Sequence, residues 1–259
     1  MRLEGKIGIV TAGGSGMGRA GATRFTKEGA AVAIVDLDGA KAEALAGRLR
    51  ADGGNAIVIA GDLRDDGFAR EIVARTVDRF GGLDFVWNHV GHPGPASVEG
   101  IDMSQYGLAM DLNLRSVLVT TEAAIPHLRA RGGGALLYTA SIAGLAGSPF
   151  SPVYSMAKFG VVGFVRSLAK RLAADHIRVN AVCPGMTDTP MLRTFVARPD
   201  ASRADNLHPE MIIRQAVRGL PMGRAAKPEE IANAALFLIS DEASYVSGIA
   251  LPVDGAATA

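Results

Sequence analysis

The sequence predicts one α/β domain: a doubly wound, seven-stranded parallel sheet with helices on both faces. Short apolar segments alternate along the chain with segments of helical composition, and this alternation is typical of parallel sheets that are covered on both sides. No Pro-rich linker, internal repeat or low-complexity tract divides the 259 residues. We therefore expect a single domain over residues 1–259.

Composition and charge exclude several classes of protein. Hydrophobic residues make up 48% of the chain, which is enough for a sizeable core. A net charge of +1 argues against a broad nucleic-acid surface. No apolar stretch approaches the roughly 20 residues that cross a bilayer, and the first residues do not resemble a signal peptide. With one cysteine, Cys183, we expect a cytoplasmic protein that binds neither nucleic acid nor membrane.

The N-terminal region carries a dinucleotide-binding pattern. An apolar strand over residues 7–10 leads into a glycine-rich turn over 11–18, a helix over 19–28 and a second strand over 31–35, which ends at Asp36. Glycines let the backbone approach a pyrophosphate, which then lies at the helix N-terminus. The alternative is an ordinary turn of an unrelated α/β domain. The strand before the turn and the acid after it favour the nucleotide-binding interpretation, a Rossmann fold.

The acid at the end of the second strand indicates which dinucleotide is bound. Asp36 can accept hydrogen bonds from the ribose hydroxyls of the adenosine, and its charge would repel a 2′-phosphate. The next residue, Leu37, offers no compensating cation. The sequence therefore predicts NAD as cofactor, with NADP as the less favoured alternative.

The alternation continues to the C-terminus. Further strands are predicted over residues 56–60, 83–87, 135–139, 177–182 and 249–253. Further helices are predicted over residues 41–50, 68–80, 103–131 with an interruption near Pro126, 153–174 and 229–238. The interval 186–222 lacks a strand and is mixed in character.

Chemically active residue types follow the predicted strands. They are Thr11, Asp36, Asp62, Asn88, Ser141 and the pair Pro184–Gly185. The carboxyl ends of parallel strands share one edge of a sheet, where ligands of this fold class bind. The periodic pattern does not explain why these residues collect there, whereas a shared site does.

Tyr154 and Lys158 lie four residues apart on a predicted helix, and therefore on the same face. A nearby ammonium favours the phenolate. Lowering the pKa of a phenol by about three units from its usual value near 10 requires roughly 4 kcal/mol. The pair could thus form a proton-transfer group tuned toward neutral pH. The spacing alone also fits a half-buried tyrosine beside a solvated lysine.

Several ordered motifs on the nucleotide side match a known pattern. The motif T-G-x-x-x-G-x-G matches residues 11–18 except at Ala12, and the acid after the second strand matches Asp36. The pair Asp62-Leu63 matches the adenine-side D-[LV] motif, and N-N-A-G matches residues 88–91 in part, because His89 and Val90 replace Asn and Ala. Whether His89 contacts the substrate or packs in the interior stays open at this point.

The remaining motifs lie on the catalytic side. A helical Asn matches Asn113, a Ser thirteen residues before the Tyr matches Ser141, and Y-x-x-x-K matches residues 154–158. A P-G segment followed by threonines matches residues 184–189. Together with the nucleotide-side motifs, these residues resemble the short-chain dehydrogenase/reductase family over nearly the whole chain.

The resemblance implies hydride transfer between a nicotinamide and a carbinol or carbonyl carbon. Tyr154 would exchange the proton of the alcohol, and Ser141 would hydrogen-bond the substrate oxygen. Lys158 would hold the nicotinamide ribose and lower the pKa of Tyr154, and Asn113 would order a water that links Lys158 to solvent. For Ser141 the alternative is a turn residue at a strand end, and for Asn113 a hydrogen-bonding residue in a bent helix.

The resemblance also implies the binding residues. The cofactor would contact Gly14, Ser15, Gly16, Met17, Gly18, Asp36, Leu37, Asp62, Leu63, Asn88, Val90, Gly91, Tyr154, Lys158, Pro184, Gly185, Thr187 and Thr189. The substrate pocket would be formed by His92, Ile142, Phe150, Met186, Met191 and Phe195. Most of these pocket residues are apolar, so we expect an apolar or cyclic secondary alcohol or ketone. Arg193 stays open as a partner for a carboxylate. The histidines and Cys183 show no metal-ligand spacing, so no metal is expected.

Three expectations concern the molecule as a whole. Residues 190–220, with several prolines and charges, resemble a mobile substrate lid, and the alternative is a plain surface helix pair. The family resemblance implies a homotetramer with the long helices and the C-terminal segment at its interfaces. A non-catalytic, redox-sensing NAD(H)-binding protein is the alternative of another class, and a degraded set of catalytic residues would favour it.

Overall fold

Seven parallel strands form one sheet in the computed structural model of the chain, which describes residues 1–198, 200 and 208–259. The strands are β1 (Ile7–Thr11), β2 (Ala31–Asp36), β3 (Asn55–Ala60), β4 (Phe85–Asn88), β5 (Gly134–Thr139), β6 (Ile177–Pro184) and β7 (Ala250–Val253). Their order in the sheet is β3-β2-β1-β4-β5-β6-β7. The predicted doubly wound, seven-stranded Rossmann architecture is confirmed. The order reverses between β1 and β4, and ligands of such sheets bind at the carboxyl edge beside that reversal.

Nine α-helices are seen in the described part of the chain. They are α1 (Gly16–Lys27), α2 (Gly39–Ala51), α3 (Asp66–Phe80), α4 (Met103–Met110), α5 (Ser116–Ala130), α6 (Pro152–Leu172), α7 (Pro190–Val196), α8 (Pro209–Arg218) and α9 (Pro228–Ile239). Short 3₁₀ turns cover Ile142–Gly144, Ala173–Asp175 and Asp241–Ala243. No helix of the described residues is both long and apolar enough to cross a membrane.

Two hydrophobic cores cover the two faces of the sheet. Neighbouring residues of a strand point to opposite faces, so Ile9 packs with α3, α5 and α6, whereas Val10 packs with α1, α2 and α9. Val86 and Trp87 divide in the same way, and Trp87 is fully buried. Each large side chain buried in this way contributes about 1.5–3 kcal/mol. The cores hold the sheet rigid and leave its carboxyl edge to the loops.

The helical region before β5 corrects one prediction. The expected interruption near Pro126 is wrong, because Pro126 lies inside α5 and the helix continues past it. The irregularity lies earlier, in a π-helical segment, Asp111–Arg115, between α4 and α5. There the Asn113 side chain Nδ2 donates 2.8 Å to the carbonyl of Ala109, the oxygen that would accept the Asn113 backbone N–H in an α-helix. The side chain of Asn113 thus engages the backbone at the irregular turn.

In its described part, the interval without a predicted strand contains two helices and takes part in one isolated bridge. α7 and α8 lie within it, and Thr187 forms a parallel bridge with Ala226. The predicted lid over residues 190–220 therefore includes α7 and α8. Residues 199 and 201–207 of that prediction lie outside the described residues.

Candidate active site

A cleft of about 850 Å³ opens at the carboxyl edge of the sheet. Its walls come from the turn after β1, the segments after β4 and β5, the start of α6, and the chain from the end of β6 to α8. Of the residues predicted for catalysis and binding, those that line it are Ser15, Gly16, Met17, Gly91, Ser141, Ile142, Phe150, Tyr154, Lys158, Pro184, Gly185, Met186, Thr187, Thr189, Met191 and Phe195. Residues from motifs that lie far apart in the sequence thus line one cleft.

The glycine-rich turn after β1 fits a bound pyrophosphate. A Cβ on Gly18 would lie 2.1 Å from the carbonyl oxygen of Ala12, so only glycine permits this close packing. Gly16 has a φ of +50° and begins α1, whose N-cap, Ser15, makes no side-chain capping bond. The N–H groups of the first helical turn are therefore not capped by that side chain, and an anion would satisfy them. Ala12, which replaces a family glycine, has a left-handed φ of +50°, a conformation that costs an alanine about 1 kcal/mol.

The residues predicted on the adenosine side lie outside the main cleft. Asp36 accepts hydrogen bonds from the backbone N–H groups of Gly14 at 2.8 Å and Asp38 at 2.9 Å. Leu37 is 73% exposed at the end of β2, where no protein contact buries it. A dinucleotide that runs from the cleft over the turn would reach both residues.

Asp62 and Leu63, the pair predicted on the adenine side, lie in different surroundings. The carboxylate of Asp62 pairs with the Arg64 guanidinium, and this contact holds the pKa of Asp62 below its usual value. Leu63 is buried in the core. Asp62 can therefore take part in adenine binding only beside Arg64, a residue that the sequence patterns did not single out.

The turn after β4 is fixed by Thr11. The Thr11 hydroxyl accepts the backbone N–H groups of His89 at 2.8 Å and Val90 at 3.0 Å. Asn88 is 2% exposed, and its side-chain nitrogen has no hydrogen-bond partner among the described residues. A buried amide donor without a partner is costly, so this atom suits a ligand that brings an acceptor.

His89 packs in the interior and also lines the cleft. Its Nδ1 lies 2.8 Å from the hydroxyl of Thr139, which accepts a second bond of 2.9 Å from Trp87 Nε1. The His89 and Trp87 rings have centroids 4.8 Å apart. Burial, and then the charge of Lys158, lower the pKa of His89 to about 3. His89 is therefore a neutral imidazole at physiological pH.

Four predicted catalytic residues converge around Gly91 and the start of α6. Lys158 Nζ donates 2.9 Å to the carbonyl of Thr139 and lies 5.4 Å from the centroid of the Tyr154 ring. A Cβ on Gly91 would lie 2.9 Å from Asn113 Oδ1 and 3.3 Å from Lys158 Nζ. Gly91 therefore allows the amide and the ammonium to approach the same point.

Ser141 lies just past the end of β5 and lines the same cleft as Tyr154 and Lys158. Its hydroxyl accepts the backbone N–H of Ala143 at 3.1 Å, which begins the 3₁₀ turn, and it lies close enough to the Tyr154 phenol to lower the pKa of that group. Ser141 is thus both a turn residue and a partner of the tyrosine, so the two interpretations of the sequence do not exclude each other.

The electrostatics of Tyr154 differ from the prediction. Burial raises the pKa of Tyr154 to about 12, although the hydrogen bond with Ser141 and the charge of Arg198 act in the opposite direction. Burial also lowers the pKa of Lys158 to about 8. In the chain alone the Lys158 ammonium donates to the Thr139 carbonyl and does not act on the Tyr154 pKa, so the lowering of that pKa by Lys158 stays a prediction.

Buried Asn113 and half-buried His92 form a hydrogen-bonded pair behind the cleft. The Asn113 Nδ2 donates 2.7 Å to the carbonyl of His92, and its Oδ1 accepts the His92 N–H at 3.4 Å. The His92 ring accepts the Gly94 N–H at 3.1 Å through Nδ1, and burial lowers its pKa. The structure therefore places His92 outside the cleft lining, where it supports Asn113, rather than in the pocket predicted for it.

Apolar side chains form the part of the cleft where the substrate is predicted to bind. Ile142, Phe150, Met186, Met191 and Phe195 line the cleft together with Ile212 and Ala216 of α8, and their contact with a substrate stays a prediction. The Phe195 ring packs edge-on against the Tyr154 ring, with centroids 5.3 Å apart.

The arginine that reaches this cleft is not the predicted one. Arg193, the candidate from the sequence, is partly exposed and pairs with Asp188 and Glu210. Sequence reasoning missed Arg198, which is 7% exposed and lines the cleft. It lies just past α7 in a segment without regular periodicity, so no sequence signal distinguished it from the surface arginines. In the described part of the chain, no cluster of His, Cys, Asp or Glu could hold a metal ion.

Comparison with known proteins identifies the family. A family described as enoyl-(acyl carrier protein) reductase matches residues 11–258. The 3-oxoacyl-(acyl-carrier-protein) reductase of Thermotoga maritima is 32% identical and covers 98% of both chains. The 3alpha-hydroxysteroid dehydrogenase of Mediterraneibacter gnavus is 34% identical over 99% of this chain and 98% of its own.

A solved structure agrees with these sequence matches. The crystal structure of levodione reductase superposes with a TM-score of 0.92 at 31% identity and covers 98% of each chain. Levodione reductase of Leifsonia aquatica is also 31% identical by sequence, over 100% of this chain and 96% of its own. The fold and these relatives define an oxidoreductase that interconverts alcohols and ketones with a nicotinamide nucleotide. The chain belongs to the short-chain dehydrogenase/reductase family.

Proposed function

We propose that this protein is an NAD(H)-dependent oxidoreductase that interconverts a secondary alcohol and a ketone on an apolar, cyclic substrate. The observation that carries the proposal is the grouping of Tyr154, Ser141 and Lys158 on one side of an apolar cleft. A nicotinamide bound in this cleft supplies the hydride chemistry. The protein binds, orients and moves protons.

Tyr154 is the proton-transfer residue in this proposal. Its hydroxyl and that of Ser141 both line the cleft, so a substrate oxygen placed between them would receive one hydrogen bond from each. Tyr154 accepts the alcohol proton during oxidation and returns it during reduction. Its raised pKa keeps the phenol protonated in the chain alone, and a cationic ring bound beside it favours the phenolate.

Lys158 and Asn113 serve the same proton path. The Lys158 ammonium, held by the Thr139 carbonyl, is placed to bind a ribose hydroxyl and to stabilise negative charge on Tyr154. Asn113 Oδ1 lies close to the same point beside Gly91. We propose that Asn113 orders a water there, through which Lys158 exchanges protons with solvent.

The cofactor would lie between the turn after β1 and the segment after β6. Ser15, Gly16 and Met17 would hold the pyrophosphate, and Pro184, Gly185, Thr187 and Thr189 would flank the nicotinamide. Asp36 supports NAD, since its carboxylate lies at the end of β2 where a ribose would meet it.

The relatives support a ring-shaped substrate. Their names include a 3alpha-hydroxysteroid dehydrogenase and a 2,5-dichloro-2,5-cyclohexadiene-1,4-diol dehydrogenase, the latter 34% identical to this chain. The wall of Ile142, Phe150 and Phe195 suits such rings. The 3-oxoacyl relative makes a 3-oxoacyl thioester the second candidate.

The direct test is NADH formation against a panel of cyclic secondary alcohols, with NAD and NADP compared, and with ketone reduction of a 3-oxoacyl thioester in parallel. We expect turnover with NAD that falls by about 10²–10⁴-fold in Tyr154→Phe. Tyr245→Phe, at a fully exposed tyrosine, is the matched control and should retain activity. NAD binding without turnover in either direction would support the alternative of a redox-sensing protein.

We propose a homotetramer as the assembled state. Leu118 on α5 and Met156 and Phe159 on α6 are exposed apolar side chains, as is Ile249 before β7. Burying such residues between subunits would be favourable. Light scattering tests this, and a monomer would contradict it. The cytoplasmic location stays a prediction.

We also propose that α7 and α8 act as a lid on the single domain, since Phe195 and Ile212 face the cleft from them. Limited proteolysis with and without NADH tests the lid. Cleavage between residues 190 and 220 should slow when NADH is bound, and equal cleavage in both conditions would indicate a plain surface helix pair.

A further inference from the structure

Arg198 is a buried cation whose hydrogen bonds all go to neutral oxygens of the cleft walls. It is 7% exposed and donates five hydrogen bonds of 2.7–3.3 Å. The acceptors are the carbonyls of Phe195, Pro93, Gly94 and Phe150 and the hydroxyl of Ser151. A guanidinium has five N–H donors, so these contacts occupy its capacity. Arg198 is therefore not available as an anchor for a substrate carboxylate.

Asp200 completes the same attachment. Its Oδ2 accepts the backbone N–H groups of Ala96 at 2.7 Å and Ser97 at 3.1 Å. Arg198 thus donates to backbone carbonyls of the segment after β4, and Asp200 accepts from backbone N–H groups of the same segment. We call these two side chains the Arg198–Asp200 clasp. The clasp joins the chain beyond α7 to the segment on the opposite wall of the cleft.

The clasp reaches Tyr154 through one aromatic ring. The Arg198 guanidinium carbon lies 4.1 Å from the centroid of the Phe195 ring, a cation–π contact. The same Phe195 ring packs edge-on against the Tyr154 ring, with centroids 5.3 Å apart. Movement of Arg198 would therefore move the ring that bounds the phenol.

A buried charge requires a reason, because apolar residues of similar volume often stabilise a protein as well or better. Here the cation stands near a phenol that must become anionic during the proposed reaction. The charged or titratable groups that face Tyr154 are Lys158 from its own helix, Cys183 from β6 and Arg198, and those that face Arg198 are Asp200, His92 and Tyr154. Arg198 and Lys158 are the cations of this group.

We propose that Arg198 is a positioning residue of this enzyme: the clasp holds Phe195 and the substrate wall against Tyr154, and the guanidinium favours the phenolate electrostatically. The second half of the inference, the electrostatic role of Arg198, rests on the proposed function. Its first half, the clasp, concerns the chain alone.

The pH profile of kcat/KM for alcohol oxidation tests the electrostatic half. Oxidation requires the Tyr154 phenolate, so the rate rises with pH through the pKa of that group, and loss of a nearby cation raises this pKa. Arg198→Met should shift the acid limb up by about one pH unit. Arg198→Lys keeps the charge but has three donors, so its limb should stay in place while KM rises at least about fivefold. Arg48→Met, at an exposed arginine of α2 that does not line the cleft, should change neither.

Amide hydrogen exchange tests the clasp without any need for turnover. Arg198→Met and Asp200→Ala should both speed exchange at the Ala96 and Ser97 amides, whereas Arg48→Met should leave it unchanged. If Arg198→Met does not fold, Ser151→Ala removes one acceptor and should show the same changes in smaller size. Unchanged exchange would overturn the clasp. If the wild type is active and the acid limb of the kcat/KM profile does not move in Arg198→Met, the electrostatic role is overturned. If the wild type is inactive, the result counts against the proposed function instead.

Discussion

The carboxylate of Asp36 accepts a 2.8 Å hydrogen bond from the backbone N–H of Gly14, which ties the end of β2 to the glycine-rich turn after β1. The other Asp36 oxygen accepts the N–H of Asp38. The acid is therefore fixed in orientation by two backbone donors before any ligand arrives. A negative charge fixed at this point would repel a 2′-phosphate of a dinucleotide, and it would accept hydrogen bonds from the ribose.

Asp36→Ala should weaken the preference for NAD over NADP. Removal of the charge eliminates the repulsion of a 2′-phosphate and the hydrogen bonds to the ribose. We expect the ratio of kcat/KM for NAD over NADP to fall at least about tenfold, which corresponds to roughly 1.4 kcal/mol. Asp52→Asn, at an exposed acid past α2, is the control. A ratio that does not move in Asp36→Ala would show that another residue selects the cofactor.

Lys158→Met should make the protein more stable and inactive. Burial lowers the pKa of Lys158 from 10.5 to about 8, so at pH 7 the folded state carries a poorly solvated cation. Its removal should raise the free energy of unfolding by about 1–2 kcal/mol at pH 7, after the lost bond to Thr139 is counted. In the wild type the unfolded state binds the extra proton between pH 8 and 10.5, so wild-type stability rises over that range and the difference shrinks.

Urea unfolding of both proteins at pH 7 and near pH 9.5 measures this difference. Lys170→Met, at an exposed lysine of the same helix, should have little effect at either pH. A Lys158→Met variant that is less stable than wild type at pH 7 would show that the ammonium stabilises the fold.

His89 should make the protein sensitive to acid. Its folded pKa is about 3 against 6.5 for the unfolded chain, so below pH 6.5 the unfolded state gains a proton that the folded state does not. Stability should therefore fall by about 2 kcal/mol between pH 6.5 and 4.5 on account of this residue. His89→Asn should show a correspondingly smaller loss in urea titrations over that range.

His176→Asn is the matched control for this prediction. His176 is exposed and has a left-handed φ of 56°, a conformation that asparagine tolerates. Its replacement should leave the acid dependence as in the wild type. If His89→Asn and His176→Asn lose stability equally on acidification, His89 is not the residue responsible.

Gly91→Ala should damage catalysis more than stability. The new methyl group would lie 2.9 Å from Asn113 Oδ1 and 3.3 Å from Lys158 Nζ, so both polar atoms must move. We expect kcat to fall at least about tenfold, since displacements of this size at reacting groups are costly. Gly47→Ala, where α2 leaves open space, should instead raise the free energy of unfolding by about 0.5–1 kcal/mol and leave kcat unchanged. Steady-state kinetics and urea unfolding distinguish the two.

The sheet and the strand-end residues could be predicted because they depend on local patterns. Apolar runs and glycine-rich turns place Asp36, Asn88 and Ser141 at one edge whatever the details of packing, and the structure brings Ser141 and Tyr154 into one cleft. The same reasoning placed β1 to β7 close to their observed bounds.

Features that depend on tertiary contacts could not be predicted. Proline in a helix usually marks an interruption, yet the irregular turn occurs where the Asn113 side chain takes a backbone carbonyl. The pKa of Tyr154 was expected to fall because Lys158 is near, but the direction depends on burial by other segments. Arg198 was missed because its partners lie about 50 and 100 residues away in the sequence.

The π-helical segment at Asp111–Arg115 makes the active site depend on a residue count as well as on residue identities. Such a segment holds one residue more than an α-helical turn, and each helical residue turns the chain by about 100°. Deletion of one residue there would let α4 and α5 join as one regular helix with ordinary hydrogen bonds. The joined helix would nevertheless turn one half of this region relative to the other. In that regular helix, Asn113 would no longer contact Ala109 and His92. Its side chain would also no longer reach the point beside Gly91 that the Lys158 ammonium approaches.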